Sequence, residues 1–185
     1  MLKIKFCMIT KMILNDEEKL KIIRKDEDIL LFCKLSWEEI KELSLDGVLG
    51  PYKSKGQDKK GLLSGVKPVW LCPTSDTKEF LKENPEFKRR FLPNLEIRNS
   101  FLTKSGKKFE FNDCAVFKES NKKYYEKLCK SYLIWIKEEG KNIASHILCG
   151  LALGYTKNDI AKYISHNYNQ QKFESWKTMI QEGGA

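Results

Sequence analysis

Six cysteines and two histidines are the side chains of this sequence best suited to nucleophilic or metal chemistry, and their spacing limits what they can do. The cysteines stand at 7, 33, 72, 114, 129 and 149, and the histidines at 146 and 166. A cysteine nucleophile needs a thiolate and a base beside it. Cys72, just before Pro73, and Cys114, just after Asp113, fall where strands or loops end and could face a cleft. His166 follows Ser165 near the expected end of a helix, where its ring is accessible. These three are the candidate catalytic residues of a cysteine-dependent transferase or hydrolase. The competing expectation is that the thiols only pack, as small buried cysteines commonly do. No two cysteines are closer than 15 residues, so the CxxC pairs of zinc ribbons and thioredoxin-like sites are absent. His146 and Cys149 share a helical face but offer two ligands at most, and no metal site is expected. Asp26-Glu27-Asp28 has the D-x-D spacing of metal–nucleotide sites, yet in a charged turn it is expected to face solvent. No cofactor is expected. The glycines of 46–65 are not followed by Gly-Lys-Ser/Thr, and no dinucleotide-binding fingerprint occurs.

The second constellation is electrostatic. Residues 52–108 carry fourteen Lys and Arg against six Asp and Glu, a balance of +8 out of a net +9 for all 185 residues. Concentrated positive charge points to phosphate-rich or acidic partners. Lys53, Lys55, Lys59 and Lys60 lie on a glycine-rich stretch, and Arg89, Arg90 and Arg98 follow. Arginine binds phosphate or carboxylate bidentately, whereas lysine acts as a point charge, so the three arginines are the positioning residues of this set. Tyr52 and Trp70 could add stacking surfaces for bases. The opposing expectation is a lysine-rich face that serves solubility alone.

The elements that must hold these residues follow from periodicity and caps. Residues 2–9 alternate as a strand with one wet face. Asn15 before Asp16-Glu17-Glu18 opens a helix to about Lys25. The short apolar run Ile29–Cys33 reads as a buried strand. Ser36-Trp37-Glu38-Glu39 is a capping box for a helix through Leu43. Residues 46–65 hold five glycines and a proline and read as a loop. Val66–Cys72 is a strand, placed at a sheet edge by Pro68. A short helix over Lys78–Lys82 leads to a basic turn at Lys88-Arg89-Arg90. Leu95–Thr103 and Lys107–Phe117, about Lys104-Ser105-Gly106, form a hairpin signal. From Asn121 onward the pattern is helical: a helix to about Gly140, an almost wholly apolar Ile143–Leu153 stopped by Gly154, a helix from Lys157 to about Ser165 capped by Thr156 and Asp159, and a last one marked by Phe173, Trp176, Met179 and Ile180.

Gly154-Tyr155-Thr156-Lys157-Asn158-Asp159-Ile160-Ala161-Lys162-Tyr163-Ile164 resembles the first part of a helix-turn-helix of the LuxR type, in which a glycine and a Ser/Thr cap precede a helix carrying Ile-Ala. The resemblance spans some 30 residues and implies that the next helix, Gln170 to Ile180, would enter a major groove. Ser165-His166-Asn167 and Gln170-Gln171 depart from the family's turn and reading helix, and the reading stretch has only Lys172 and Lys177 to meet phosphates, with Glu174 opposing them.

The composition, 41% hydrophobic and 32% charged, describes a folded chain with strongly solvated faces. The expected fold is α+β: a small, mainly antiparallel sheet with short helices, followed by a C-terminal bundle of three or four helices. The expected organisation is an α+β region over 1–119, with the basic loop 46–65, and a helical region over 120–185 packed on it as one unit. The leading function is a non-enzymatic binding protein whose basic central surface engages nucleic acid or an acidic protein partner. The cysteine enzyme is one alternative. An adaptor or inhibitor acting by protein–protein contact is another, whose mark would be an exposed apolar patch on Tyr124–Ile136. Separated thiols, a lysine-interrupted start without a secretory pattern and no apolar run of spanning length lead to the expectation of an intracellular, cytoplasmic protein with no membrane partner. Leaderless export would leave no trace in such a sequence.

Overall fold

The computed structural model describes residues 14–48, 57–93, 114–134 and 143–182. In chain order its elements are α1 (Asp16–Ile23), α2 (Glu27–Cys33), α3 (Trp37–Asp46), α4 (Gln57–Leu63), β1 (Val69–Cys72), α5 (Thr77–Glu83), β2 (Phe87–Phe91), β3 (Cys114–Lys118), α6 (Lys122–Ile134), α7 (Ile143–Ala152), α8 (Lys157–Asn167) and α9 (Gln170–Gln181). Single 3-10 turns, Thr74–Asp76 and Glu119–Asn121, lead into α5 and α6. The fold is α+β: one antiparallel sheet in the order β1-β3-β2, with helices before and after it in the chain.

The helix starts are written in their first residues. Asn15, Ser36 and Thr156 each accept a hydrogen bond from the backbone three residues on, while Glu18, Glu39 and Asp159 reach back to the cap N–H. These reciprocal bonds satisfy donors that a helix start otherwise leaves open. Gly154 ends α7 at φ 85°, and Tyr155 N–H bonds back to the Gly150 carbonyl. A side chain at 154 would also collide with Pro68 Cδ, 2.9 Å from the position of a Cβ, so the glycine sets how closely α7 approaches the chain entering β1.

Three readings are corrected. Ile29–Cys33 is helix α2 rather than a strand. Asp26 caps it, Glu27 and Asp28 occupy its first turn, and Ile29, Phe32 and Cys33 are buried on one face at helical spacing. Lys88-Arg89-Arg90 is not a turn but the middle of β2, paired antiparallel with β3 from Phe87 opposite Lys118 to Phe91 opposite Cys114. The loop 46–65 is interrupted: α3 continues to Asp46 and α4 occupies Gln57–Leu63. The strand expected over 2–9 and the first arm of the 95–117 hairpin lie outside the described residues. The second arm contributes β3, which also pairs with β1, and among the described residues β1 is an edge strand as Pro68 implies.

The cores cross the sequence position near Ser120. One joins α1–α3 to α7–α9 through Ile23, Ile29, Phe32, Trp37 and Ile40 on one side and Ile147, Ile160, Phe173 and Trp176 on the other. A second lies between α6 and one face of the sheet, where Val69, Ala115 and Phe117 meet Tyr125 and Leu128. A third fills the opposite face, where Trp70, Cys72, Phe87, Cys114 and Val116 meet Leu62 of α4 and Phe80 of α5. The sheet is thus sandwiched between α6 and the α4/α5 pair. Buried Ser131 and Ser145 join α6 to α7, each hydroxyl donating to the other residue's carbonyl, at 2.9 and 3.0 Å.

Candidate functional site

Strand β2 carries the most concentrated cationic surface among the described residues. Its burial runs from buried Phe87 to exposed Lys88, Arg89, Arg90 and Phe91. Among the described residues it is an edge strand with one neighbour, β3. Alternation sends Phe87, Arg89 and Phe91 to the α5 side and Lys88 and Arg90 to the α6 side. The register agrees, since Arg89 stands opposite Val116 of the third core and Arg90 opposite Ala115 of the second. The arginines therefore do not share one face, but at an edge both can reach one ligand lying along the strand.

Arg89 is fixed. Its Nη1 donates to Thr77 Oγ1 at 2.8 Å, and the guanidinium lies 5.7 Å from the Phe91 ring centroid. Thr77, fully buried at the first turn of α5, donates a hydrogen bond from its own hydroxyl to the Thr74 carbonyl at 2.8 Å. The neighbouring lysines are neutralised: Lys88 pairs with Glu119 at 2.8 Å, Lys118 with Glu86 at 3.9 Å and Lys122 with Glu126 at 3.8 Å. The Lys88 ammonium that hydrogen-bonds Glu119 holds its carboxyl below the usual carboxylate range, with weaker help from Lys122 and Arg90. Among the described residues neither Arg89 nor Arg90 forms an ion pair with a carboxylate.

The remaining members of the expected cationic set divide. Lys59 and Lys60 are exposed on α4, and Lys59 Nζ sits 5.2 Å over the Phe80 ring, so Lys59 and Arg89 flank α5. Lys53, Lys55, Arg98 and Tyr52 lie outside the described residues. Trp70 is buried and packs edge-on against Phe80 at 5.2 Å, so it is not open to a base. Phe91, 54% exposed, is the aromatic surface beside the arginines. The sequence placed Lys88 beside the arginines only as part of a basic turn and hid Phe91 as a member of this surface, because no strand was expected there.

The catalytic candidates are also divided. Cys72 and Cys114 are brought together, directly opposite one another on β1 and β3, with their sulfurs 3.9 Å apart. Both are buried in the third core. His166 is exposed on α8, which packs on α3 and α7. The geometry pairs thiol with thiol and leaves the imidazole on another part of the molecule. Burial pushes the Cys33 thiol up to about 12 and Cys129 up to about 11.

His146 is half-buried, with its ring 4.8 Å from Tyr163 and 6.1 Å from Tyr168, and burial lowers its pKa. Asp26, expected to face solvent, is buried: its Oδ1 caps α2 and its Oδ2 pairs with Lys130 at 3.0 Å, while Asp28 pairs with Lys127. The D-x-D motif thus ties α2 to α6. Among the described residues, no three His, Cys, Asp or Glu side chains are grouped to hold a metal ion, and no helix is long and apolar enough to cross a membrane. Helices α8 and α9 follow one another as the helix-turn-helix resemblance implies, but α9 buries Phe173, Trp176 and Ile180, and Lys177 bonds the Leu35 carbonyl at 2.8 Å. The described part of Tyr124–Ile136 carries none of the large exposed hydrophobic residues, which are Leu31, Leu45, Val48, Leu63, Val66 and Phe91. No family model, curated protein or solved structure matches this chain.

Proposed function

We propose that this protein is a non-enzymatic binding protein that takes an anionic partner along the β2 edge, with single-stranded nucleic acid as the best-matched form. The observation that carries the reading is the exposed row Lys88-Arg89-Arg90-Phe91, in which neither arginine forms an ion pair with a carboxylate among the described residues. An extended row of cations suits a phosphate backbone, and an exposed ring held beside a guanidinium offers a stacking surface that tolerates any base. Arg89 and Arg90 position phosphates, Phe91 receives a base, and Lys59 and Lys60 extend the field on the α5 side. An acidic protein segment would use the same cations without the ring.

The test is fluorescence anisotropy with random single-stranded and duplex DNA and RNA at low and physiological salt. Binding falls as salt rises, and single strands bind more tightly than duplex. In Arg89→Ala/Arg90→Ala the slope of log affinity against log salt shrinks by about 0.7 for each single-strand phosphate that no longer meets a cation. Phe91→Ala weakens single-strand binding more than duplex binding. Absence of binding at low salt, or an unchanged slope in the double variant, removes the reading.

A further inference from the structure

We propose that Cys72 and Cys114 are a dithiol–disulfide couple, a modification site at the rim of the sheet that closes on oxidation and staples β1 to β3. This rests on the cysteine geometry and is independent of what β2 binds.

Directly opposed residues of an antiparallel pair have Cα atoms about 4.5–5.5 Å apart, which lies within the span of a disulfide. Cys72 and Cys114 are such a pair. Their sulfurs are 3.9 Å apart, so each need move only about 1 Å to reach bonding distance, a shift that side-chain rotation can supply. The Cys114 thiol also donates to the Cys72 carbonyl at 3.3 Å, which holds its sulfur beside residue 72. Cys33, Cys129 and Cys149 are placed otherwise: they pack among aliphatic and aromatic neighbours of the first two cores, and Cys129 hydrogen-bonds Tyr125. The sheet position is also distinctive. Cys72 is the last residue of β1 and Cys114 the first of β3, so the pair sits at the end of the ladder. Pro73 and the turn Thr74–Asp76, with Ser75 and Asp76 exposed, follow Cys72 directly. Local opening of that turn uncovers Cys72 first, although both thiols are buried in the resting fold.

The oxidant is a low-molecular-weight disulfide. The Cys72 thiolate attacks one of its sulfurs, forming a mixed disulfide and releasing one small thiol. The Cys114 thiolate then attacks the Cys72 sulfur of that mixed disulfide, forming the protein disulfide and releasing the second small thiol. Two protein thiols are oxidised and one small disulfide is reduced to two thiols. The bridge closes a loop of 42 residues, and that loop contains α5 and β2. It therefore places the strand bearing Lys88, Arg89 and Arg90 inside a covalently closed loop that ends on its ladder partner β3, and it reduces the freedom of the unfolded chain.

The experiment incubates the full folded chain for hours in oxidised glutathione, traps remaining thiols with N-ethylmaleimide under denaturing conditions, and maps unreduced peptides by mass spectrometry. The expected result is a loss of two of the six thiols, a cross-linked peptide joining Cys72 to Cys114, and recovery of both thiols with dithiothreitol. In Cys114→Ser, Cys72 stops at the glutathione mixed disulfide. The peptide map of the unsubstituted chain decides the matter even where that variant does not fold. Cys72 and Cys114 both remaining open to the maleimide, or bridges joining other cysteines, overturns the proposal.

Discussion

The helical core built from α1–α3 and α7–α9 and the sheet unit built around β1-β3-β2 use positive charge in opposite ways. In the helical core three cations turn inward to helix ends. Arg24 donates to the Ile180 and Met179 carbonyls at the end of α9, both at 3.0 Å. Lys162 donates to the Gly47 carbonyl beyond α3 at 2.6 Å, and Lys177 to the Leu35 carbonyl beyond α2 at 2.8 Å. Each satisfies a carbonyl at the negative end of a helix. On β2, Arg89 and Arg90 turn outward and form no ion pair with a carboxylate among the described residues. Equal charges thus serve as structural caps in one region and as an open surface in the other, so a count of lysines and arginines does not by itself measure a binding surface.

The largest effect that tests this contrast comes from opening each core. Phe173 lies fully buried between Trp37 and Trp176, with ring centroids 5.6 Å from each. Phe80 lies between Trp70 at 5.2 Å and Phe87 at 5.4 Å. Phe173→Ala and Phe80→Ala are each expected to lose about 3–5 kcal/mol of stability in urea denaturation. Under conditions where both remain folded, Phe80→Ala also weakens nucleic-acid binding, because Phe80 supports the helix that anchors Arg89, while Phe173→Ala binds normally. Equal binding losses in the two variants would erase the distinction between the regions.

Asp26 measures the seam between them, because it caps α2 and pairs with Lys130 of α6. Asp26→Ala is expected to cost about 2 kcal/mol. The lost cap supplies about half, and the ion pair supplies the rest, weakened by the exposure of Lys130. Asp26→Asn keeps the cap oxygen and costs about 1 kcal/mol. Equal losses in the two variants would assign the whole effect to the charge.

Asp26 also illustrates what sequence makes legible. Caps are local, so Asn15, Ser36, Thr156 and Gly154 could be read within four residues of where they act. The helical half, with its long 3.6-residue patterns, was readable for the same reason. Five apolar residues at 29–33 do not distinguish a strand from a short buried helix, and the Asp26 cap decided the outcome. The β2 strand has no alternating pattern of its own, since four of its five residues are exposed; it exists through its ladder to β3. The Cys72–Cys114 contact depends on the β1–β3 pairing at a separation of 42 residues, which no local rule reaches. Sequence named both cysteines and both β2 arginines, but only the register could show that the thiols meet each other and that the arginines straddle an edge.

Matched removal of one arginine from each region sharpens the contrast further. Arg24→Met strips partners from two carbonyls at the end of α9 and is expected to cost about 1–2 kcal/mol with nucleic-acid affinity unchanged. Arg89→Met loses the bond to Thr77 and is expected to cost about 1 kcal/mol, and it lowers affinity and its salt dependence. A binding defect in the first variant, or a folding defect alone in the second, would reverse the roles assigned to the two arginines.

The smallest expected effect belongs to His146, which titrates inside the helical core. Burial against Tyr163 and Tyr168 lowers its pKa from the ordinary 6.5, so the folded chain resists taking up the proton. Above 6.5 the imidazole is neutral in both states and contributes no pH dependence. As the pH falls through 6.5 the unfolded chain binds a proton that the folded chain does not, and stability declines until the folded pKa is passed. Glu39, Glu119 and Asp159, whose carboxyls are held low by their hydrogen-bond partners, lose their contributions in a more acidic window, because their ordinary values are 4.5 or below. Urea denaturation across this range separates the two effects. His146→Gln flattens the decline that begins near 6.5 and leaves the acidic limb in place. An unchanged decline in the variant would show that the imidazole is hydrated in the folded chain, and the helical core would then be open where its packing against two tyrosines closes it.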